Sequence, residues 1–203
     1  ARIADHAAQA DAGVAVHIVL LGDLIDRGPN SKEVLDYLHE VTRRDTHIVI
    51  LLGNHEQMML QALHGQPGVM QAWLRNGGSA TLASYGIDVP PKDDRDITVL
   101  LKEFKACLPQ EHVDWIKRFP LTARSGDYLF CHAGIRPGVP VARQTRDDLL
   151  WIRSEFLDSD DDHGVVVVHG HSVTIEVEER DNRIGIDTGA YRTGRLTALW
   201  VEG

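Results

Sequence analysis

Cysteine is scarce in this chain, and long apolar runs are missing. Only Cys107 and Cys131 occur among 203 residues, whereas a small secreted scaffold held together by disulfides would carry more. The longest apolar stretch, around residues 16–21, is far shorter than the about 20 residues that a membrane helix needs. No charged-then-apolar leader opens the chain either. These absences predict a reduced, cytoplasmic protein with no membrane partner.

Basic residues are also in the minority. The chain has 21 Lys and Arg against 30 Asp and Glu, a formal net charge of -9, whereas nucleic-acid binders normally show a basic face. We therefore expect no nucleic-acid polymer as a partner, although smaller phosphate-bearing substrates stay open. An apolar content of 43% and a charged content of 25% are typical of globular proteins. A chain of this length favours a single domain over residues 1–203.

Two short β-branched runs, each ending in a glycine, predict buried strands. They cover residues 14–21 and 47–52, and helical spacing of apolar residues follows each of them. The first of these helices is expected over residues 31–43 with Ser31 as its N-cap, and the alanine-rich residues 1–12 are expected to end a preceding helix. This alternation indicates an α/β fold with functional loops at the carboxyl ends of its strands.

The alternation lapses over residues 65–118. Aromatic and aliphatic residues broken by glycine and proline predict several short helices there, which we interpret as a helical cap inserted into the domain. Trp73 is expected to belong to the core of this cap, although its ring could instead hold a nucleoside. The second half of the chain returns to strands, which are predicted over residues 127–131, 165–168, 175–178, 184–186 and 196–201.

Four short segments place metal-ligand side chains directly after predicted strands. Carboxylates, an amide and imidazoles supply oxygen and nitrogen ligands without a thiolate, a set that fits Mn²⁺, Fe or Zn²⁺ better than it fits a structural zinc site. Each segment alone has an ordinary explanation, such as a turn-forming aspartate or a hydrogen-bonded core histidine. Their joint position at four strand ends favours one shared site. The segments are GDLIDRG at residues 22–28, GNHE at 53–56, CHAG at 131–134 and HGHS at 169–172.

In order and character, these segments resemble the signature motifs of the phosphoprotein phosphatase branch of the calcineurin-like metallophosphoesterases. Together they span residues 22–172. The chain is most similar to the bacterial members, which include serine/threonine protein phosphatases and symmetrical diadenosine tetraphosphate hydrolases. The resemblance implies a four-layer α/β/β/α sandwich with a helical cap. It also implies a dinuclear centre at the strand ends that holds two divalent metal ions, Mn²⁺ first and Fe or Zn²⁺ as alternatives.

Carried over position by position, the resemblance implies that Asp23 bridges the two metals. The remaining ligands of the second metal would be Asn54, His132 and His171. His169 competes with His171 for this role, but the family pattern places the ligand directly after the glycine and before a Ser or Thr. His171 is therefore the expected ligand.

The resemblance also implies catalytic and substrate-binding roles. His55 would protonate the leaving alkoxide, and Asp26 would orient that histidine. Arg27 would hold phosphate oxygens with its planar fork of donors. Arg153 resembles a second phosphate-binding arginine, with a surface ion pair as a nearly equal explanation. Tyr191 could reach the substrate as well, although packing is the more ordinary role for it.

One family motif is missing from this sequence. An Asp-x-His pair normally lies a helix's length before the first of the four segments, and this chain is expected to begin inside that helix. Asp5 and His6 are expected to face solvent, so the first metal would keep only Asp23 and the sheet would lack its N-terminal strand. Such a gap would cost several kcal/mol. We therefore expect a natural protein about 20 to 30 residues longer.

The resemblance as a whole implies a metal-dependent phosphoesterase that hydrolyses phosphate monoesters with a water activated by two metals. The expected substrate is a phosphorylated protein, as for a serine/threonine phosphatase, or a small phosphoester. Two alternatives stay open, namely a hydrolase of dinucleoside polyphosphates and a non-catalytic module that binds phosphate or metal. The cap over residues 65–118 is where we expect the substrate to be selected.

Overall fold

The computed structural model describes residues 15–66, 68–88 and 96–202. The helix end expected over residues 1–12 lies outside the described residues, and so do Asp5 and His6. None of the helices in the described ranges combines the length and the apolar composition that a bilayer crossing requires.

The first part of the described chain forms a two-stranded parallel sheet with a helix after each strand. Ile18 lies opposite Ile48 and Leu20 opposite Ile50, so the carboxyl ends of both strands meet at one edge. Both predicted strands and the helices after them are confirmed, although the strands are shorter than predicted. The elements are β1 (Ile18–Leu20), α1 (Ser31–Arg44), β2 (Ile48–Ile50) and α2 (Asn54–Leu63).

The start of α1 differs from the prediction. Asn30 is its N-cap residue and makes no side-chain capping bond within the described chain, while Ser31 is the first helical residue. The Ser31 hydroxyl instead accepts a hydrogen bond from the backbone N–H of Asp26 at 3.1 Å. The capping prediction for Ser31 is therefore wrong, because its hydroxyl fixes the loop that precedes the helix.

Residues 65–118 form several short helices wherever the structure describes them, as predicted. Trp73 and Phe104 lie in their interior with no exposed surface, and the same apolar cluster continues into Leu35 of α1 and Met59 of α2. Trp73 is thus a core residue, as expected. The helices are α3 (Val69–Trp73), α4 (Ser79–Ser84), α5 (Ile97–Cys107) and α6 (Gln110–Ile116), with a π-helical turn over Leu74–Gly78 between α3 and α4.

A five-stranded sheet follows, built from β3 (Thr122–Ser125), β4 (Tyr128–Cys131), β5 (Val166–His169), β6 (Glu178–Glu179) and β7 (Arg183–Gly185). The strand order is β3-β4-β5-β7-β6. The central strands β4, β5 and β7 run parallel, whereas β3 and β6 pair antiparallel at the edges. The carboxyl ends of β4 and β5 therefore carry CHAG and HGHS to one edge. Between and after these strands lie α7 (Arg146–Trp151), α8 (Ser154–Leu157) and α9 (Ala190–Thr193).

Alternate side chains of the second sheet face two different layers. Leu129 of β4 shares an apolar cluster with Phe156 of α8. The next residue, Phe130, faces the other way and packs in a cluster with Val19 of β1 and Val49 of β2. Helices therefore cover the outer face of each sheet, and the two sheets pack against each other. This is the α/β/β/α sandwich that the resemblance implies.

Some predictions for the second half of the chain are wrong. β3 has no clear strand signal in its sequence because it is short, polar and partly exposed. It forms a strand through antiparallel backbone pairing with β4. Only the last residue of the strand predicted over 175–178 is in β6, and no strand is assigned over 196–201 within the described chain. The apolar alternation of 196–201 reflects one-sided packing, since Leu199 and Val201 lie against the cluster between the sheets. The helices α7, α8 and α9 are also absent from the prediction.

Candidate metal centre

The loops at the carboxyl edge of the sheets have unusual backbone conformations. Asp23, Asp26, Arg27 and His171 have φ values of 56, 77, 62 and 63 degrees, and in the described part of the chain no other non-glycine residue has a positive φ. The left-handed region is unfavourable for side chains other than glycine. Such residues cluster at functional sites, where the surrounding structure holds them in place.

Two glycines bring the first two of these loops into contact. A Cβ atom on Gly22, which has a φ of 91 degrees, would lie 2.5 Å from the backbone nitrogen of Gly53. A Cβ atom on Gly53 would lie 2.3 Å from Oδ1 of Asp23. Because neither position has room for a side chain, glycine at both positions is what allows Asp23 to lie beside the start of α2.

The buried carboxylate of Glu56 joins the same two loops. It accepts hydrogen bonds from the backbone N–H groups of Gly53 at 2.9 Å, Asp23 at 2.9 Å and Leu24 at 2.7 Å. Burial, followed by the negative charge of Asp23, raises the pKa of Glu56 to about 7. The sequence prediction assigns no role to Glu56, although its place three residues after Gly53 is the position from which a glutamate caps a helix.

Four predicted ligand atoms converge at the carboxyl edge of the two sheets. Oδ1 of Asn54 lies 2.9 Å from Nε2 of His132 and 3.2 Å from Nδ1 of His171. The two imidazole nitrogens are 3.2 Å apart, and Oδ1 of Asp23 is 3.4 Å from the His132 nitrogen. Asn54, His132 and His171 are buried, whereas the side chain of Asp23 is partly exposed. The structure thus brings together all four residues predicted to bind metal.

The protonation of the histidines makes this cluster rich in lone pairs. Nδ1 of His132 lies 2.7 Å from the carbonyl oxygen of Leu21 and donates to it, so Nε2 presents a lone pair to the cluster. Burial, together with repulsion from His132 whenever that ring is protonated, lowers the pKa of His171 to about 3, so the His171 ring is neutral. Carboxylate and amide oxygens and neutral imidazoles that converge in this way repel one another unless a cation lies among them. The donor set therefore fits a divalent metal ion.

A buried acid–base pair adjoins this cluster. Nδ1 of His55 lies 2.5 Å from Oδ2 of Asp26, whose side chain has no exposed surface. Trp73 Nε1 donates to Oδ2 of Asp26 at 2.8 Å, and the Thr81 hydroxyl donates to Oδ1 at 2.6 Å. The remaining nitrogen of His55, Nε2, lies 3.9 Å from Oδ2 of Asp23, on the side of the cluster. Sequence analysis misses these roles of Trp73 and Thr81, because both depend on contacts distant along the chain.

The pKa of His55 reflects opposing influences. Burial lowers it, but the hydrogen bond to Asp26 and the negative charges of Asp23 and Asp26 outweigh burial, so that the pKa of His55 lies above its ordinary value. The imidazole can therefore hold a proton at Nε2 while Nδ1 is committed to Asp26.

Two arginines flank the cluster. The exposed Arg27 donates from Nε to the carbonyl oxygen of Asn76 at 3.3 Å, and its guanidinium lies 4.7 Å from the centre of the Tyr191 ring. Arg153 donates from Nη1 to the Ser172 hydroxyl at 3.2 Å, next to the loop that carries His171. Both cationic groups, and Tyr191 through its contact with Arg27, therefore lie around the candidate centre.

His169 has a different environment from His171. It ends β5 and contacts the Phe156 ring edge-on at a centroid distance of 5.1 Å. Burial lowers the pKa of His169 to about 4, so the ring is neutral and packs within the sandwich. Of the two histidines in HGHS, the structure brings His171 to Asn54.

Comparisons with known proteins identify relatives of this chain. A sequence model of the calcineurin-like phosphoesterase family matches residues 2–193. Serine/threonine-protein phosphatase 1 of Salmonella typhimurium is 43% identical over 193 residues, which cover 91% of this chain and 78% of that protein. The symmetrical bis(5'-nucleosyl)-tetraphosphatase of Nitrosospira multiformis is 29% identical over 118 residues, and the match covers 58% of this chain but spans only 33% of that relative's length. A crystal structure described as a candidate diadenosine tetraphosphatase has the same fold, with a TM-score of 0.59, 19% identity and coverage of 94% of this chain and 78% of that chain.

Proposed function

The chain belongs to the calcineurin-like phosphoesterase family, and from this premise we propose that it hydrolyses phosphate monoesters of serine or threonine in proteins. The observation that carries the proposal is the cluster of four convergent ligand atoms beside the buried pair of His55 and Asp26. Hydrolysis of a phosphate ester is promoted by a metal centre that activates water and by an adjacent group that donates a proton to the leaving oxygen.

We assign metal binding to Asp23, Asn54, His132 and His171, which would together hold one of two proposed divalent ions, Mn²⁺ first and Fe or Zn²⁺ as alternatives. Of these four residues, only Asp23 would be shared with the second ion. When bound, the ions supply a water nucleophile and offset the negative charge of the phosphate. The assignment is supported by the lone pairs that these side chains direct at one point and by the Leu21 carbonyl, which fixes the tautomer of His132.

His55 is the proposed proton donor to the departing oxygen. Its Nδ1 is committed to Asp26, so a proton on Nε2 is the one available to the side of the cluster where a substrate would lie. Asp26 is a positioning residue, because it acts through His55 and its own two oxygens are already held by Trp73 and Thr81.

Substrate binding is proposed for Arg27 and Arg153, whose guanidinium groups suit the non-bridging oxygens of a phosphate. Tyr191 would keep the exposed Arg27 guanidinium in place, since its ring lies under that group. Substituting Tyr191 should then weaken substrate binding more than it lowers turnover.

The identity of the substrate is supported by the comparisons. The relative named as a serine/threonine phosphatase matches 91% of this chain at 43% identity. A second candidate, hydrolysis of dinucleoside polyphosphates, is supported by several relatives that carry that name, but these include matches over 58% of this chain at 29% identity. We therefore place the phosphoprotein first.

A substrate comparison tests this order. The full-length gene product that carries this chain, supplied with Mn²⁺, is assayed for release of phosphate from a phosphoserine peptide and for cleavage of diadenosine tetraphosphate. A higher kcat/KM for the peptide than for the dinucleotide supports the proposal. Preference for the dinucleotide would favour the second candidate, and metal binding without cleavage of either would indicate a binding module.

A further inference from the structure

A second group of metal-ligand side chains lies where α1 packs against α6. His39 comes from α1, and Glu111 and His112 come from the first turn of α6. One ligand atom from each of the three lies within 4.8 Å of the other two. None of these residues belongs to the four segments that build the candidate metal centre, so the proposed catalysis gives no reason for their convergence.

His112 carries an observation that points to a ligand. Only 3% of the residue is exposed, and its Nδ1 has no hydrogen-bond partner among the residues that the structure describes. A buried polar atom left without a partner costs about 1–3 kcal/mol. Binding of a metal ion would remove this cost, and another imidazole and a carboxylate lie close enough to bind the same ion.

The charges around His112 favour a cation. Oδ1 of Asp36 lies 3.7 Å from Nε2 of His112, while the other oxygen of Asp36 binds Lys32 at 2.5 Å. Glu111 adds a second carboxylate.

Ring packing alone explains only part of this arrangement. The rings of His39 and His112 are 4.9 Å apart, and the ring of His39 is 5.2 Å from that of Trp115. These contacts account for the positions of the imidazoles between the helices. They do not account for the unpartnered Nδ1 of His112 or for the Glu111 carboxylate beside the two rings.

We propose that His39, Glu111 and His112 bind one divalent transition-metal ion of the zinc type, which clamps α6 to α1. Two imidazoles and a carboxylate are a ligand set that zinc uses in proteins, with a water available as the fourth ligand. Glu111 is exposed, so its side chain is free to move toward the two histidines. The ion would tie a helix of the 65–118 region to the helix that follows the Asp23–Arg27 loop.

Zinc stoichiometry tests the proposal without any activity measurement. The full-length protein is stripped with a chelator, titrated with Zn²⁺, and compared with the variants Glu111→Gln and His39→Gln. His47→Gln is the matched control, because His47 is an exposed histidine that also lies beside an aspartate, Asp45. Glu111→Gln removes a ligand from an exposed position, so loss of folding does not confuse its result.

The expected result is that both cluster variants lose one equivalent of tightly bound Zn²⁺, or bind it at least about tenfold more weakly, while the control matches the wild type. Crystals of the zinc-loaded protein should also show an anomalous peak between His39 and His112. Equal stoichiometry and affinity in all four proteins, with no such peak, would overturn the proposal. Loss of the centre at Asp23 and His132 would leave this result unchanged, so the two sites are tested separately.

Discussion

Nδ1 of His55 and Oδ2 of Asp26 lie 2.5 Å apart in a pocket from which solvent is excluded on both sides. The carboxylate is held by Trp73 and Thr81 as well, so it cannot turn away from the imidazole. The contact sets which nitrogen of His55 faces the ligand cluster. The acid–base function proposed for His55 would therefore depend on a residue that does not itself reach the substrate.

Asp26→Asn should lower turnover while leaving metal content unchanged. The amide is neutral, so it no longer stabilises a proton on His55, and the pKa of His55 should fall. We expect kcat to drop by about 10² or more, with the alkaline limb of the pH–rate profile moved to lower pH. Metal analysis and a pH profile check this, and an unchanged profile would contradict the positioning role.

Asn54→Ala and His55→Ala should separate metal binding from proton transfer, although the two residues are neighbours. Asn54 offers its oxygen to the cluster, so its loss should chiefly weaken metal binding. His55→Ala should retain the metal and chiefly lower turnover. Metal titrations followed by kinetics at saturating Mn²⁺ distinguish the two, and the reverse pattern would contradict the assignment.

Glu56→Gln should destabilise the fold. The carboxylate accepts three backbone hydrogen bonds with two oxygens, whereas the amide offers one oxygen and turns an N–H₂ group toward backbone donors. We expect a loss of roughly 3 kcal/mol in the free energy of unfolding, measured by urea denaturation at a pH above 7, where the side chain of Glu56 is ionised. Glu33→Gln, at an exposed position of α1, is the control and should change little. Equal stability of the two variants would contradict a stabilising role for the hydrogen bonds that the Glu56 carboxylate accepts.

The stability of the second sheet's helical layer should depend on pH through Asp148. This buried carboxylate accepts from Arg136 at 2.6 Å and from the Thr145 hydroxyl at 2.6 Å. Burial raises its pKa, but those hydrogen bonds and the Arg136 charge outweigh burial, so the pKa of Asp148 lies below its ordinary value. Its contribution is therefore fully present above the unfolded value of about 4 and is lost as the pH falls through the folded value.

Asp148→Asn should accordingly lower the free energy of unfolding by about 1–3 kcal/mol at neutral pH, with a gap from wild type that narrows as the pH falls below about 4. Denaturant unfolding at neutral and acidic pH measures this gap. Asp147→Asn, at the exposed neighbouring position, should leave the wild-type pH dependence in place. A gap that stays constant with pH would show that the ionised carboxylate is not what stabilises α7.

The sequence predicts the parts of this protein that depend on local signals. Glycines after short β-branched runs mark β1 and β2, and the predicted ligand residues follow the strands that carry them to one edge. Sequence patterns do not reveal that Glu56 reaches back to Asp23, or that Thr81 binds Asp26 across 55 positions of the chain. Those contacts exist only once the sheets and helices have packed.

Hydrophobic periodicity also misleads where packing and hydrogen bonding do not coincide. Leu199 and Val201 bury apolar surface as strand residues would, but their segment has no ladder in the described chain. β3 shows the opposite case, since its polar residues pair with β4 through backbone groups. Alternation of apolar residues indicates that one face of a segment is buried. Whether the segment forms a strand depends on an adjacent strand with which its backbone can pair.

The most direct test of the proposed centre compares wild type and His55→Ala on two phosphate esters that differ in their leaving group. The full-length gene product is assayed at saturating Mn²⁺ with a phosphoserine peptide, whose alkoxide needs a proton to leave, and with p-nitrophenyl phosphate, whose phenolate does not. Metal-dependent hydrolysis of both by wild type is expected, with a loss of about 10² to 10⁴-fold in the variant on the peptide and a much smaller loss on p-nitrophenyl phosphate. Equal losses on both esters would contradict the proton-donor role, and a metal-loaded wild type that hydrolyses neither would contradict the proposed function.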